Sequence, residues 1–148
     1  IDLQKIILSN IQKKILLDHT HKEEPNESCA ILYGNKNIVK EIWLTKNIDS
    51  SPVEFTISPE QTLEMYQKCD ELNLEVIGIF HSHPKGEAHP SNTDKEFMEN
   101  NPYVWIIYSG INKDFRAFIL KSDIIEIPIK DQSALQKIEI FIRKIFRI

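Results

Sequence analysis

Residues 79–94, which read IFHSHPKGEAHPSNTD, combine side chains that bind metal ions with side chains that move protons. An apolar run ends at two histidines, His81 and His83, and Ser91 and Asp94 follow after a polar loop. On an extended strand, side chains two positions apart point to the same side. His81 and His83 should therefore project together, with Cβ atoms about 6.5 Å apart, and could bind one ion.

Asp94 is the candidate for a third ligand. Catalytic zinc typically has three protein ligands and a fourth position for water, and a short helix predicted over Asn92–Met98 places Asp94 in its first turn. Ser91 and Asp94 also fit a helix capping box, and we expect that an Asp94 that binds metal does not cap freely as well. The remaining histidines are interpreted as ordinary polar side chains near the surface: His19, His21 and His89.

The spacing of these residues resembles a known signature. His-Ser-His, seven residues, Ser, two residues and Asp match the H-[ST]-H-x7-S-x2-D pattern of the JAMM (MPN+) metallopeptidases, and the flanking Pro84 and Pro90 resemble the bacterial and archaeal branch. Upstream, residues 25–34 (PNESCAILYG) resemble the P-x-E-x-C-G-x-L-x-G block of the family, with Ala30 where the family usually has Gly. The resemblance extends from about Ser9 to Ile129.

The choice of a catalytic carboxylate depends on this upstream block. Glu23, Glu24 and Glu27 all precede a predicted strand, so spacing alone leaves the three open, and a solvated carboxylate is the alternative interpretation. The resemblance implies that Glu27 is the catalytic one. Cys29 is interpreted as a buried structural thiol rather than a ligand or nucleophile.

The resemblance also implies a mechanism with one Zn²⁺ per chain, bound by His81, His83 and Asp94. Zinc would lower the pKa of its bound water toward roughly 7. Glu27 would take a proton from this water and hand it to the leaving amine, while zinc and the Ser91 hydroxyl would stabilise the oxyanion.

The implied function is that of an isopeptidase or peptidase, which hydrolyses the amide bond at the C-terminal tail of a ubiquitin-like protein. One alternative is removal of a residue such as cysteine from a ubiquitin-fold sulfur carrier. Another is a non-catalytic MPN scaffold, although such scaffolds usually lose the metal ligands. A structural zinc site is disfavoured because it normally has four protein ligands.

The implied fold is the MPN domain, a curved mixed β-sheet with flanking helices, related to the zinc deaminases of the cytidine-deaminase type. Independently of the resemblance, the mixture of predicted strands with a few helices indicates an α/β or α+β domain around one sheet. Strands are predicted at Asp2–Leu8, Ser28–Gly34, Ile38–Leu44, Glu75–His83, Tyr103–Tyr108, Phe115–Leu120 and Ile124–Ile129. Capping boxes predict helices after Ser9 and Ser58, the second with a packing face of Thr62, Met65, Tyr66, Cys69 and Leu72.

Residues 1–148 are predicted to form a single domain that ends in an amphipathic helix over residues 133–148. Its apolar face consists of Leu135, Ile138, Phe141, Ile142, Ile145 and Phe146. We expect this face to pack on its own domain or on a second copy of the chain. Packing on a second copy would make the protein a homo-oligomer. A basic amphipathic helix can also mark a membrane surface.

Composition narrows the classes of partner. A net charge of −4 does not favour nucleic-acid binding, which usually involves a basic patch. No apolar run approaches the roughly 20 residues of a membrane span, and residues 1–14 lack the pattern of a signal peptide. The two cysteines form no CxxC pair, so a reducing cytoplasm is the expected location.

Overall fold

The computed structural model describes residues 4–53, 55–131 and 133–146. Its elements in chain order are β1 (Ile6–Ile7), α1 (Asn10–Glu23), β2 (Cys29–Asn35), β3 (Ile38–Thr45), α2 (Pro59–Leu72), β4 (Glu75–His83), α3 (Asn92–Asn100), β5 (Val104–Ser109), β6 (Phe115–Leu120), β7 (Ile124–Ile127), β8 (Ile129–Lys130) and α4 (Ser133–Phe146). Each of the first three helices begins after a serine N-cap with a complete capping box, at Ser9, Ser58 and Ser91.

The strands form one mixed sheet in the order β7-β6-β5-β4-β2-β3-β1-β8. β7 and β8 lie at opposite ends of this order, yet only Pro128 separates them along the chain. The sheet must therefore curl until its two edges approach each other, and the Ile6 N–H donates to the Pro128 carbonyl at 3.0 Å. This curved mixed sheet with flanking helices confirms the predicted fold class.

The predicted strands agree with the structure in the centre of the sheet and differ from it at the edges. β4 and β6 have the predicted bounds. The predicted strand Ile124–Ile129 is divided at Pro128, because proline has no N–H to donate to a neighbouring strand. The first predicted strand is reduced to Ile6–Ile7, and residues 1–3 lie outside the described part.

Two apolar layers cover the two faces of the sheet. One contains Leu16 of α1 with Leu32, Phe80 and Ile106. The other lies under α2 and α3 and contains Met65, Met98, Ile31, Ile79 and Trp105. Phe80 faces the first layer and His81 the second, as strand alternation requires. The predicted packing face of α2 was too wide, since Met65 is its one buried residue while Thr62, Tyr66 and Leu72 are exposed.

The apolar face of α4 is not covered by the rest of the domain. Its described side chains are each 42–67% exposed: Ile138, Phe141, Ile142, Ile145 and Phe146. Packing on its own domain was therefore a wrong prediction for these residues, and packing on a second copy stays a prediction. The side chain of Leu135 and residues 147–148 lie outside the described part. Within that part, no helix has the length and apolar character needed to cross a bilayer.

Candidate metal centre and active site

Three polar atoms converge at the carboxyl end of β4. His81 Nε2 lies 3.0 Å from His83 Nε2 and 3.0 Å from Asp94 Oδ2, and His83 Nε2 lies 3.1 Å from the same carboxylate oxygen. Ligand atoms about 2.05 Å from a tetrahedral zinc ion would lie about 3.3 Å apart. The three predicted ligands therefore fit one zinc ion, and their nitrogen and oxygen donors suit its chemistry.

The turn after β4 fixes the orientation of His83. Its Nδ1 donates to the Glu87 carbonyl at 2.7 Å, so in the neutral form of the ring Nε2 carries the lone pair and faces the other predicted ligands. Hydrogen bonds of this kind set the tautomer of metal-binding histidines and raise their basicity. His83 is thus prepared to bind a metal through Nε2.

Aromatic packing holds the fully buried ring of His81. Phe55 stacks on it with ring centroids 4.7 Å apart, and Trp105 meets it edge-on at 5.8 Å. His81 Nδ1 is buried without a hydrogen-bond partner among the described residues. Burial therefore lowers the pKa of His81, although Asp94 opposes this shift, and the neutral imidazole that results is the form that binds zinc.

One oxygen of Asp94 faces both histidines and also caps α3. Its Oδ2 faces both histidines and also accepts the Ser91 N–H at 3.0 Å, while Ser91 Oγ accepts the Asp94 N–H at 3.1 Å. The same oxygen thus caps α3 and faces both histidines, while the expected conflict between metal ligation and capping stays a prediction. Burial would raise the pKa of Asp94, but the hydrogen bonds from His81, His83 and the Ser91 N–H hold it well below its usual range.

The pKa of His83 moves in the opposite direction from that of His81. Burial would lower it, but hydrogen bonds to Asp94 and to the Glu87 carbonyl, with the negative charges of Asp94 and Glu27, raise it overall. The two histidines therefore have different environments, one apolar and one rich in acceptors.

Glu27 is the carboxylate that the fold brings to these ligands. A carboxylate oxygen lies within 4.8 Å of a ring nitrogen of each histidine, and the side chain is buried. Its N–H donates to the Ser51 carbonyl at 2.7 Å, and its carbonyl accepts from Asn47 Nδ2 at 3.1 Å. The segment between β3 and α2 thus holds both peptide groups of Glu27. In contrast, Glu24 is half exposed and pairs with His21.

A cleft of about 210 Å³ opens beside this cluster. Its described lining residues are Glu27, Pro52, Val53, His83, Lys85, Gly86 and Ser91. The cleft is smaller than the roughly 300–1,000 Å³ typical of pockets for drug-sized ligands. Its size suits a few residues of extended chain, and it exposes a buried acid, a metal-binding histidine and a hydroxyl to the same space.

The comparison with known families agrees with this arrangement. The family model for prokaryotic homologs of the JAB domain matches residues 11–121. The chain belongs to this family. The predicted resemblance is thereby confirmed for residues 11–121, about three quarters of the sequence.

Curated relatives of this JAB-domain chain include a desampylase, a conjugate-cleaving protease and a CysO-cysteine peptidase. A desampylase of Pyrococcus furiosus is 38% identical over 105 residues, which cover 70% of this chain and 74% of the relative. A Thermus thermophilus protein named "Probable TtuB-protein conjugate cleaving protease" is 33% identical over 69% of this chain and 67% of its own. A CysO-cysteine peptidase of Mycobacterium bovis is 27% identical over 53% of this chain and 56% of its own length.

Solved structures support the same fold. A solution structure of a Desulfitobacterium hafniense protein has a TM-score of 0.77 and 27% identity, covering 85% of this chain and 92% of that one. A JAB1/MPN domain protein from Archaeoglobus fulgidus has a TM-score of 0.54 at 21% identity, with coverage of 84% and 98%. The second likeness concerns the fold alone.

A buried hydroxyl cluster in this JAB domain was not predicted from the sequence. Ser82 Oγ accepts the Ser28 N–H and lies 2.9 Å from Ser28 Oγ, which in turn lies 3.0 Å from Thr20 Oγ1. These residues lie on the α1 side of the sheet, opposite the metal ligands. They join the residue between the two histidines to the residue after Glu27, and 54 positions of sequence separate the two serines.

The remaining predicted side chains have structural roles. His19 was expected near the surface but is buried, with Nε2 3.1 Å from the carbonyls of Cys29 and Thr45. His21 and His89 are exposed, as predicted. Cys29 is buried, and burial raises the pKa of its thiol to about 11, which agrees with the interpretation as a structural thiol.

Proposed function

We propose that this chain is a zinc-dependent isopeptidase that hydrolyses the amide bond at the C-terminal tail of a ubiquitin-like protein. The observation that carries the proposal is the convergence of His81, His83 and Asp94 within 3.1 Å, with a Glu27 oxygen within 4.8 Å of the histidine nitrogens. The desampylase and the conjugate-cleaving protease among its relatives support this class of substrate.

His81, His83 and Asp94 would hold the zinc ion. Three protein ligands are the usual number in a catalytic site, whereas structural sites normally have four. When bound, zinc supplies a Lewis acid that activates water and polarises the scissile carbonyl. The hydrogen bond from His83 Nδ1 to the Glu87 carbonyl and the packing of Phe55 on His81 keep both rings aimed at the ion.

Glu27 acts as the general base. One of its carboxylate oxygens lies within 4.8 Å of a ring nitrogen of each histidine, and the side chain borders the cleft where the scissile bond would lie. It takes a proton from the attacking water and delivers it to the nitrogen of the leaving amine, so that the C–N bond breaks and water is added across it. The chain therefore needs no covalent acyl-enzyme.

Ser91 stabilises the charge that develops on the carbonyl oxygen. Its Oγ accepts the Asp94 N–H at 3.1 Å, which leaves its own hydroxyl hydrogen available for donation. Because Ser91 lines the cleft beside His83, this hydrogen can be directed at the oxyanion. The N-cap geometry of α3 fixes the oxygen in place before substrate binds.

A mass-resolved cleavage assay tests the proposal. A ubiquitin-like protein ending in Gly-Gly is joined to an acceptor lysine and incubated with the zinc-loaded chain, with the chelated chain and with Glu27→Gln. We expect cleavage after the terminal glycine, its loss with chelator and its recovery with added zinc. Glu27→Gln should keep zinc and lose at least about 10²-fold in rate.

Three outcomes would contradict this assignment. Undiminished cleavage after zinc removal would exclude the metal mechanism. If Glu27→Gln cleaved at close to the wild-type rate, the role of base would pass to Glu23 or Glu24. Absence of cleavage, with zinc bound at one ion per chain, would favour the scaffold alternative.

We also propose that a second copy of the chain covers the apolar face of α4. Contiguous exposed apolar surfaces mark interaction sites, and five described side chains of this helix are 42–67% exposed. Light scattering should give a dimer that Phe141→Lys and Ile145→Lys convert to a monomer, while Lys144→Glu on the polar face leaves it intact. A monomeric wild-type chain would exclude the proposal.

We further propose a cytoplasmic location. Cys29 and Cys69 are both free thiols, which suits a reducing compartment. Fractionation of the native cells with an antibody against the chain would test this location.

A further inference from the structure

We propose that Asn47 is a positioning residue for the hydrolysis, because its side-chain amide joins the general base Glu27 to a loop that borders the cleft. This inference rests on the proposed function, since it concerns the residue that sets the position of the base. Asn47 is only 4% exposed, and neither zinc binding nor the proposed chemistry gives a role to this buried polar side chain.

The pairing of β2 with β3 brings Asn47 opposite Glu27. The ladder between these antiparallel strands ends at the pair Cys29 and Thr45. Two positions further along each strand, a continued register would place Glu27 across from Asn47. Buried His19 fixes this end of the ladder, because its Nε2–H donates to the carbonyls of both Cys29 and Thr45 at 3.1 Å.

Each end of the Asn47 amide has its own partners. Nδ2 donates to the Glu27 carbonyl at 3.1 Å, while Oδ1 accepts the N–H groups of Asp49 at 3.0 Å and Thr56 at 3.1 Å. A carbonyl only accepts and an N–H only donates, so these partners fix the orientation of the amide. The bond to Asp49 forms an Asx turn at the start of the loop, and the bond to Thr56 closes its end. One buried side chain thus joins the loop of residues 47–56 to the backbone of Glu27.

The same loop holds the other peptide group of Glu27 and borders the cleft. The Ser51 carbonyl accepts the Glu27 N–H at 2.7 Å, and Pro52 and Val53 line the cleft directly after it. Glu27 precedes β2, so these bonds hold its backbone beyond the end of the ladder. A general base must lie within hydrogen-bond reach of the proton that it takes, and a small displacement of the base lowers kcat.

The substitution Asn47→Asp separates the two contacts of this side chain. The variant carboxylate has nearly the same shape and still accepts the N–H groups of Asp49 and Thr56, but it has no N–H to donate to the Glu27 carbonyl. Two hydrogen bonds from backbone N–H groups favour the ionised carboxylate, so a protonated side chain does not replace the lost donor. We therefore expect the loop to persist while Glu27 loses one of its two backbone anchors.

Steady-state kinetics test this, with a ubiquitin-like protein whose terminal Gly-Gly is joined to an acceptor lysine. Asn47→Asp should lower kcat about tenfold, with KM within about twofold of wild type and one zinc per chain, because the base moves while the loop persists. Asn47→Ala removes both contacts, so it should lower kcat and also raise KM several-fold. Asn10→Asp, the same change at an exposed position of α1, is the matched control and should behave as wild type.

A core variant separates positioning from a general loss of stability. Ile119→Ala leaves a cavity in the apolar layer on the α1 face of the sheet, so it should lower the melting temperature and keep the wild-type kcat. All variants are compared at a temperature at which circular dichroism shows each of them folded. If Asn47→Asp did not fold, the kcat of Asn47→Ala would decide the question.

Three results would overturn the inference while the proposed function stands. A wild-type kcat in Asn47→Asp and Asn47→Ala would exclude the positioning role. A loss confined to KM would mean that Asn47 only shapes the loop that contacts the substrate. A kcat loss of the same size in Ile119→Ala would assign the effect to stability. If the wild-type chain itself did not cleave the conjugate, the proposed function would fail, and the inference with it.

Discussion

Asp94 Oδ2 contacts His81, His83 and the N–H of Ser91 with a single oxygen atom. The three-residue interval between Ser91 and Asp94 is the spacing of a capping box. Here the same spacing also places the predicted third ligand beside two strand histidines. A helix N-terminus favours negative charge, so the capping geometry and the low pKa of Asp94 act in the same direction.

At the residue scale, His83→Ala should remove most of the bound zinc. The variant would leave two of the three ligands, and catalytic zinc sites typically require three. We expect about one zinc per wild-type chain by elemental analysis and much less than that in the variant. His89→Ala, which lies outside the cluster, is the control. Full occupancy in His83→Ala would exclude His83 as a ligand.

Ser91→Ala should have a milder effect than Glu27→Gln. Loss of one oxyanion donor typically costs on the order of 10²–10³-fold in kcat, while the metal ligands remain. Because Ser91 also caps α3, the variant should lose about 1 kcal/mol of unfolding free energy. Ser91→Thr keeps the cap and the hydroxyl and should separate the two effects in paired kinetic and thermal measurements. A wild-type kcat in Ser91→Ala would remove Ser91 from the mechanism.

At the scale of elements, the last side chains of β4 alternate between the two faces of the sheet and have different roles. His81 and His83 face Asp94 of α3, and Ser82 faces α1 and binds Ser28. The pairing of Cys29 with His81 in the sheet register brings the start of β2 to the end of β4. This antiparallel pairing of β2 and β4 brings Glu27, which precedes β2, close to the two histidines.

Ser82→Ala should reduce both stability and activity while zinc still binds. The variant leaves the buried Ser28 N–H without its acceptor, which typically costs about 1–3 kcal/mol. Because Ser28 adjoins Glu27, we expect kcat to fall several-fold at unchanged zinc content. Ser82→Thr retains the hydroxyl and should stay closer to wild type. Equal kcat in Ser82→Ala and wild type, at a lowered melting temperature, would limit the cluster to a structural role.

The sequence predicted the site more completely than its surroundings. His81, His83, Ser91 and Asp94 lie within 14 residues of one another, so strand and helix periodicity sufficed to bring them together. The loop between β3 and α2 contacts Glu27 through Ser51 and Asn47, and its Phe55 stacks on His81. These contacts depend on how that loop folds back onto the sheet. No local periodicity encodes such a return, and only the upstream motif distinguished Glu27 from its neighbours.

At the scale of the whole molecule, one exposed segment forms a wall of the cleft. The segment between β3 and α2 contributes Pro52 and Val53 to the cleft, and the side chain of Val53 is 73% exposed. The connection from α3 to β5 is only three residues long, and the turn from β5 to β6 only five. The connections after α3 and after β5 are therefore too short to contact much of a folded partner.

We therefore expect the isolated chain to recognise the extended tail of its substrate rather than the acceptor protein. Glycines in the tail would allow close approach of the backbone to the metal centre, and an extended tail can form backbone hydrogen bonds along a strand edge.

Conjugates that share one ubiquitin-like protein but differ in the acceptor lysine should be cleaved at rates within about tenfold, equivalent to about 1.4 kcal/mol. Parallel kinetics on such a panel, with Val53→Ser as a variant of the wall, would measure this. We expect Val53→Ser to raise KM for every member alike, because the wall contacts the shared tail. Strong preference for one linkage would contradict tail recognition and would direct attention to α4, whose described apolar side chains are exposed.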